Sequence, residues 1–398
     1  MNVPGTTQAG NSLRRFIQRP QRVWLRRACF QIHLWMGVLL SLYIAAIGVS
    51  GSILVFKDEL MPRPKFHQAQ LEPLGCTPAS LVAAVRATAI RYPETIIVLA
   101  TCPMGADPFY QINVRPTIGA PFTAYVNPAT DVVAGEVDQA SNWIGMTERF
   151  HLELLLHRNG RQWNGLGAAI LVVLCMTGIV IWWPGIRNWR RALKVNLNLN
   201  WKRINFDLHS AIGIWVLSFT AIWAVTGVYF AWETPFERLI AAVSPITTAR
   251  YPEKEIRQAT TRAAASLDTG FDVRATLEEA VAVIPHSKLE GFFFGSTDAP
   301  VFTVYMAHGQ LGDYANTDFV YFNQRNGQYL LTWYRGVNHT LGDWILWLFV
   351  PLHFGTSFGT AGKVTWAALG LVFPVLAITG LLMYWNRWLS KRIPLMRT

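Results

Sequence analysis

Two apolar stretches of this chain share one pattern, and that pattern constrains the fold more than any other feature. A histidine is followed by a glycine four residues on and by a second glycine fourteen residues after that. The first copy is His33, Gly37 and Gly51; the second is His209, Gly213 and Gly227, displaced by 176 residues at every position. The stretches read HLWMGVLLSLYIAAIGVSG and HSAIGIWVLSFTAIWAVTG. Both are apolar enough to cross a bilayer, which takes about 20 residues, and both carry histidine in the first turn. A histidine inside such a segment points to a functional site, and two at matching positions in related helices point to a shared ligand.

The surrounding composition agrees with membrane insertion. Charged residues make up 15% of the chain, against about 25% in an ordinary soluble domain. Seventeen tryptophans suit the aromatic belts of membrane boundaries. The net charge of +11 is concentrated beside the apolar segments, which is the positive-inside signature rather than a nucleic-acid patch. Arg14, Arg15, Arg19, Arg22, Arg26 and Arg27 precede the first segment, six Lys and Arg residues lie in 187–203, and four more follow the last segment. With four spans, all three basic clusters share one side, the cytoplasm. The expected plan is a basic cytoplasmic leader (1–30), a first transmembrane helix (31–56), a first outer domain (57–155), a second helix (160–186), a cytoplasmic loop (187–206), a third helix (207–232), a second outer domain (233–340), a short interfacial or re-entrant helix (343–355), a fourth helix (363–386) and a cytoplasmic tail (387–398). The first helix is too long for a signal peptide and shows no cleavage site, so it reads as an uncleaved anchor. Pro374 predicts a kink in the fourth helix.

The outer regions read as small α+β units, each a helix followed by a meander of strands. SLVAAVRATAIRYP precedes TIIVLATC, PFYQINVR and FTAYVNPATDVVAG; TLEEAVAVIP precedes LEGFFFG, VFTVYMA and DFVYFNQRNGQYLLTW. A helix near Cys76 and a strand returning to Cys102 bring these cysteines close, and an oxidising compartment permits a disulfide. LCMTGIVIWWPG and LAITGLLMYWNR close the second and fourth helices with matching Thr177, Gly178, Trp183 and Thr379, Gly380, Trp385. The chain is therefore a duplicated helix–outer domain–helix unit, two parallel repeats about an axis along the membrane normal.

His33 and His209 fall at the cytoplasmic edge of the expected helices, and His157 and His353 at the outer edge. Neutral imidazole is a good axial ligand for haem iron, and two imidazoles saturate it, favouring electron transfer over oxygen binding. The expected cofactors are two haem b, one held by His33 and His209 and one by His157 and His353, with Gly37 and Gly213 making room for the porphyrin. Structural histidines and a non-haem metal are the other readings; the latter wants three or four converging ligands. His151 and His339 are the alternatives for the outer ligands. No CxxCH occurs, so covalent c-type attachment is excluded. No dinucleotide fingerprint follows a strand, so the reductant comes from elsewhere.

The duplicated plan, together with LLHR before IWWPG, DLHSAIG opening the third helix and PLHFG before the fourth, resembles the PepSY-associated transmembrane family. Within that family the chain is similar to bacterial inner-membrane ferric-siderophore reductases. The resemblance implies PepSY-like periplasmic domains and an oxidoreductase that reduces a periplasmic ferric siderophore, Fe(III) to Fe(II). It implies a quinol or a cytoplasmic reductase as electron donor, membrane lipid as surroundings and no nucleic-acid partner. Trp333, Tyr334 and Arg335 are the candidate substrate contacts. Two rival functions are a non-enzymatic membrane protein regulating an envelope protease, and an iron or haem transporter.

Overall fold

Hydrophobic periodicity divides the chain between long apolar helices and alternating strands, and these sort into two units in the computed structural model. The structure describes residues 24–62, 75–104, 107–138, 141–249, 252–263, 271–295, 300–309, 311–312, 316–355 and 359–389. Most of the basic leader, Lys391, Arg392 and Arg397 of the tail, and most of the Pro-rich linker lie outside the described residues. In chain order the elements used below are α1 (Trp24–Leu54), α2 (Pro78–Arg91), β1 (Thr95–Thr101), β2 (Tyr110–Pro116), β3 (Phe122–Asn127), β4 (Val132–Asp138), α3 (Trp143–Glu153), α4 (His157–Trp182), α5 (Trp201–Trp215), α6 (Leu217–Ala231), α7 (Glu233–Ala241), α8 (Glu253–Ala263), α9 (Val273–Val283), β5 (Lys288–Phe294), β6 (Val301–Ala307), β7 (Thr317–Asn323), β8 (Tyr329–Trp333), α10 (Leu341–Phe354), α11 (Gly359–Gly370) and α12 (Val372–Tyr384).

The helical unit gathers residues 1–57, 147–236 and 352–398. Among the described residues three of its helices are long and apolar enough to cross a membrane: α1, α4 and the run 359–388 that contains α11 and α12. A fourth crossing is available if α5 and α6, bent by 62° at Val216, act as one. The bend was not expected. Helices also begin earlier than expected: α1 starts at Trp24 within the basic leader, and α5 starts at Trp201, capped by the Asn200 side chain, within the expected loop. Arg26, from that leader, donates to the Trp183 and Ile181 carbonyls at the end of α4, a favourable place for a cation. The expected kink near Pro374 takes the form of an interruption at Leu371. Proline has no N–H to offer the carbonyl one turn back, here Gly370, so the ladder opens there. Close helix contact follows: a side chain at Gly48 would lie 2.7 Å from the Gly370 carbonyl, and Ser52 donates to Ala367 O at 2.9 Å.

The second unit, residues 58–146 and 237–351, is built on strands. Two separate α+β domains were expected; their strands instead form one eight-stranded antiparallel sheet, β4-β3-β2-β1-β5-β6-β7-β8. Each meander alone would leave β1 or β5 as an open edge. Pairing Leu99, Ala100 and Thr101 with Phe293, Phe292 and Gly291 closes both edges at once. Gly291 is required there, because a side chain would collide with the Ala100 carbonyl. Alternation puts Ile112, Phe292, Phe302 and Val320 on one face, beneath Leu81 of α2 and Leu277 of α9. Ile256 of α8 covers Val301, Phe319 and Tyr321 on the other.

Cys76 and Cys102 form a disulfide with a Cα–Cα distance of 5.8 Å, tying the start of α2 to the end of β1 across 26 residues. Closing a loop of that length contributes about 3.5 kcal/mol in the chain-entropy model. Replacing both cysteines by serine is expected to lower stability by about that amount, read as an earlier unfolding midpoint of the intact protein in denaturant. An unmoved midpoint would show that the bond carries no stability.

Candidate functional site: two opposed histidine pairs

Four imidazoles of the helical unit meet in two pairs. His33 of α1 and His209 of α5 bring their ring centroids to 6.5 Å, with ring planes at 88°. His151 of α3 and His353 of α10 bring theirs to 6.4 Å, at 63°. Ser50 of α1 contacts His151 and lies seventeen residues beyond His33. At about 1.5 Å per residue the two pairs are therefore about 25 Å apart along α1, most of the ~30 Å hydrocarbon core of a bilayer.

One hydroxyl holds each ring. His33 Nδ1 lies 3.1 Å from Thr177 Oγ1 and His209 Nδ1 lies 2.9 Å from Thr379 Oγ1. His151 Nδ1 lies 2.9 Å from Ser50 Oγ and His353 Nδ1 lies 2.6 Å from Thr226 Oγ1. Each hydroxyl also donates its proton to a carbonyl one turn back in its own helix: Val173, Val375, Ile47 and Ile222. A hydroxyl has one proton and two lone pairs, so it accepts from the imidazole Nδ1–H. That assigns the tautomer in all four rings and leaves Nε2 as the lone-pair nitrogen. Glycine beside the hydroxyl gives three of the rings their place. A side chain at Gly178 would sit 3.4 Å from His33 Cε1, at Gly380 3.3 Å from His209 Cε1, and at Gly51 3.0 Å from His151 Cε1.

A cavity of about 1450 Å³ surrounds the His33–His209 pair, against about 300–1,000 Å³ for an ordinary ligand pocket. Gly37 and Gly213 line it. A side chain at Gly37 would meet nothing within 4 Å, and one at Gly213 only Leu376 at 3.9 Å. Leu34, Leu376 and Phe30 make its walls apolar, while Arg27, Arg191 and Lys194 stand along it. Around the other pair, Phe230 packs 5.1 Å from His353. Trp223 and Trp366 donate their indole N–H groups to the His353 and Leu352 carbonyls, fixing the end of α10.

His157, expected to face His353, does not reach it. Leu154 and Leu155 adopt left-handed backbone angles (φ 51° and 59°), and His157 follows at φ 52°. These residues separate α3 from α4, and His157 opens α4 with its ring 77% exposed, 3.7 Å from Glu153. His151, six residues earlier on α3, faces His353 instead. The sequence signal for it is the spacing to the Thr-Gly pair: His151 and His353 both stand 27 residues before their glycines, Gly178 and Gly380. His339 belongs to neither pair; it lies in the sheet unit, where its N–H faces Asp343 Oδ2. Trp333 stacks on Phe319 and donates to Thr248 O. Arg335 lies over both rings, and its N–H donates to Asp318. Of the three substrate-contact candidates, Tyr334 is the exposed one.

Among the described residues no group of three or more His, Cys, Asp and Glu side chains converges as a metal site would require. The histidine pairs offer two nitrogens each. A metal–imidazole bond is about 2.0–2.1 Å, and adding about 1.1 Å from nitrogen to ring centre puts two imidazoles on opposite sides of one metal with centroids about 6–6.5 Å apart. Both pairs have that spacing.

Residues 30–387 match the family described as PepSY-associated TM region. No curated protein matches the chain.

Proposed function

The chain belongs to the PepSY-associated TM family, and from that premise we propose that it is a di-haem membrane oxidoreductase that reduces a ferric siderophore. The observation that carries the proposal is the repeated pair: two imidazoles at about metal-bridging distance, Nδ1 fixed, Nε2 free, in each of two layers. His33 and His209 would hold one haem b, and His151 and His353 the other. A two-nitrogen site suits a metal that brings its own equatorial donors, and the glycine-lined apolar cavity has room for a flat macrocycle. Held by the two imidazoles of a pair, a haem b would supply a one-electron couple.

The protein's own part is to keep four neutral imidazoles oriented inside an apolar bundle, at two depths. The basic flanks support a cytoplasmic face for the His33–His209 layer in a bacterial inner membrane. The disulfide supports an oxidising compartment, the periplasm, for the sheet unit. The electron donor would be a quinol or a cytoplasmic reductase, and the acceptor a ferric siderophore on the outer face. Fe(III) is hard and tightly held by oxygen donors; Fe(II) is softer and less well held, so one electron loosens the metal.

The test is direct. Purified protein is expected to contain two b-type haems per chain, and its reduced spectrum should be reoxidised by added ferric siderophore. Protein without b-type absorbance bands would end this reading. Haem that no ferric chelate reoxidises would leave the electron carrier and remove the substrate.

A further inference from the structure

We infer that Thr177, Thr379, Ser50 and Thr226 are positioning residues that set the donor strength of the four histidines, and so the reduction potentials of the haems they would hold; this rests on the haem reading above. Each histidine is tied to a hydroxyl of a different helix in its own repeat. In the first repeat Thr177 of α4 holds His33 of α1, and Ser50 of α1 holds His151 of α3. In the second repeat Thr379 of α12 holds His209 of α5, and Thr226 of α6 holds His353 of α10. Each ring pair joins one histidine of the first repeat to one of the second. Each repeat thus fixes one ligand in each layer, using its own hydroxyls.

The partner's chemistry matters as much as its position. Histidine ligands commonly donate their second N–H to a carboxylate, a backbone carbonyl or water, which raises ligand basicity. Here the acceptor is a neutral hydroxyl whose proton is committed to a backbone carbonyl, 2.7 Å away for Thr226 and 2.8 Å for Thr177. That donation polarises the oxygen and strengthens it as an acceptor, without placing a charge in the bundle. A hydroxyl therefore gives an imidazole of intermediate basicity. Removing it makes the imidazole a poorer donor, so the ferric form loses more stabilisation than the ferrous form and the potential rises. Removing it also leaves a buried N–H without a partner.

The experiment is redox titration of the intact protein, following both haem spectra. Thr226→Val is expected to raise the potential of the His151–His353 layer or weaken haem retention there about 10–100-fold. The His33–His209 layer should be unmoved and serves as the internal control for folding. Thr226→Ser, which keeps the hydroxyl, should behave as the unchanged protein. Thr379→Val should produce the mirror result in the other layer. The inference is overturned if Thr226→Val keeps both haems at unchanged potentials and affinities. It is also overturned if Thr226→Ser disturbs the site as much as valine does. Absence of haem from the unchanged protein would instead overturn the functional reading itself.

Discussion

His353→Ala protein, purified and reduced, is expected to carry one haem per chain against the two proposed for the unchanged protein. His151→Ala should lose the same spectral component. His33→Ala and His209→Ala should both lose the other, and His157→Ala should lose neither. The grouping follows from the ring distances of 6.4 Å and 6.5 Å, which pair each histidine with one partner. Truncating either member would remove one of the two imidazole nitrogens proposed to hold that haem. It also leaves a hydroxyl, Thr226 for His353 or Ser50 for His151, without its imidazole. The effect is half the haem absorbance, so spectra and haem quantitation of the five single variants suffice. The discriminating variant is His157→Ala. Its ring is exposed and its nearest charged partner is Glu153, so it should resemble the unchanged protein. Loss of a haem in His157→Ala with retention in His151→Ala would overturn the assignment of the second pair.

That contrast shows what kind of information the sequence holds. Charge-free windows mark the apolar helices because the bilayer penalises exposed charge and backbone alike. Alternation marks the strands, and the displacement of 176 residues relates His33 to His209 within the sequence itself. The second pair is harder to see. His157 borders the apolar run and His151 does not, so proximity in sequence favours the wrong ring. The left-handed turn at Leu154 and Leu155 separates the two rings, and in the sequence only the shared 27-residue spacing to Gly178 and Gly380 favours His151. Thr177 and Thr379 are visible as repeat markers, yet their role depends on packing between helices far apart in sequence. The pairing of β1 with β5 is likewise a tertiary event: each strand reads as an ordinary edge, and nothing local specifies that the two edges should meet.

Asp343→Ala is expected to destabilise the sheet unit by about 3–5 kcal/mol, because six donors converge on this fully buried carboxylate. Oδ1 accepts from the N–H groups of Thr247, Thr248 and Ala249 at 2.7, 2.9 and 3.1 Å. Oδ2 accepts from the Thr247 hydroxyl at 2.6 Å and from the N–H groups of Thr340 and His339 at 3.2 and 3.3 Å. Thr340 Oγ1 returns a bond to the Asp343 N–H at 3.0 Å, so the two residues form a capping box that starts α10. One side chain thus begins the helix that carries His353 and fastens residues 247–249 to it. Burial pushes the carboxyl pKa up; the Thr247 hydroxyl and the N–H groups of Thr248, Thr247 and Ala249 outweigh it and hold the pKa well below the usual carboxylate range. The sign follows. The folded pKa is depressed, so the stabilisation is fully present above the unfolded value of about 4. It is lost as pH falls below that value toward the folded one, because the unfolded chain binds the proton first. The melting temperature of the unchanged protein should therefore fall below about pH 4, and Asp343→Ala should melt earlier at neutral pH with a flatter acid dependence. Equal acid slopes in the two proteins would show that Asp343 does not carry the linkage. A neutral-pH melting point unchanged by the substitution would show that the six hydrogen bonds add no net stability.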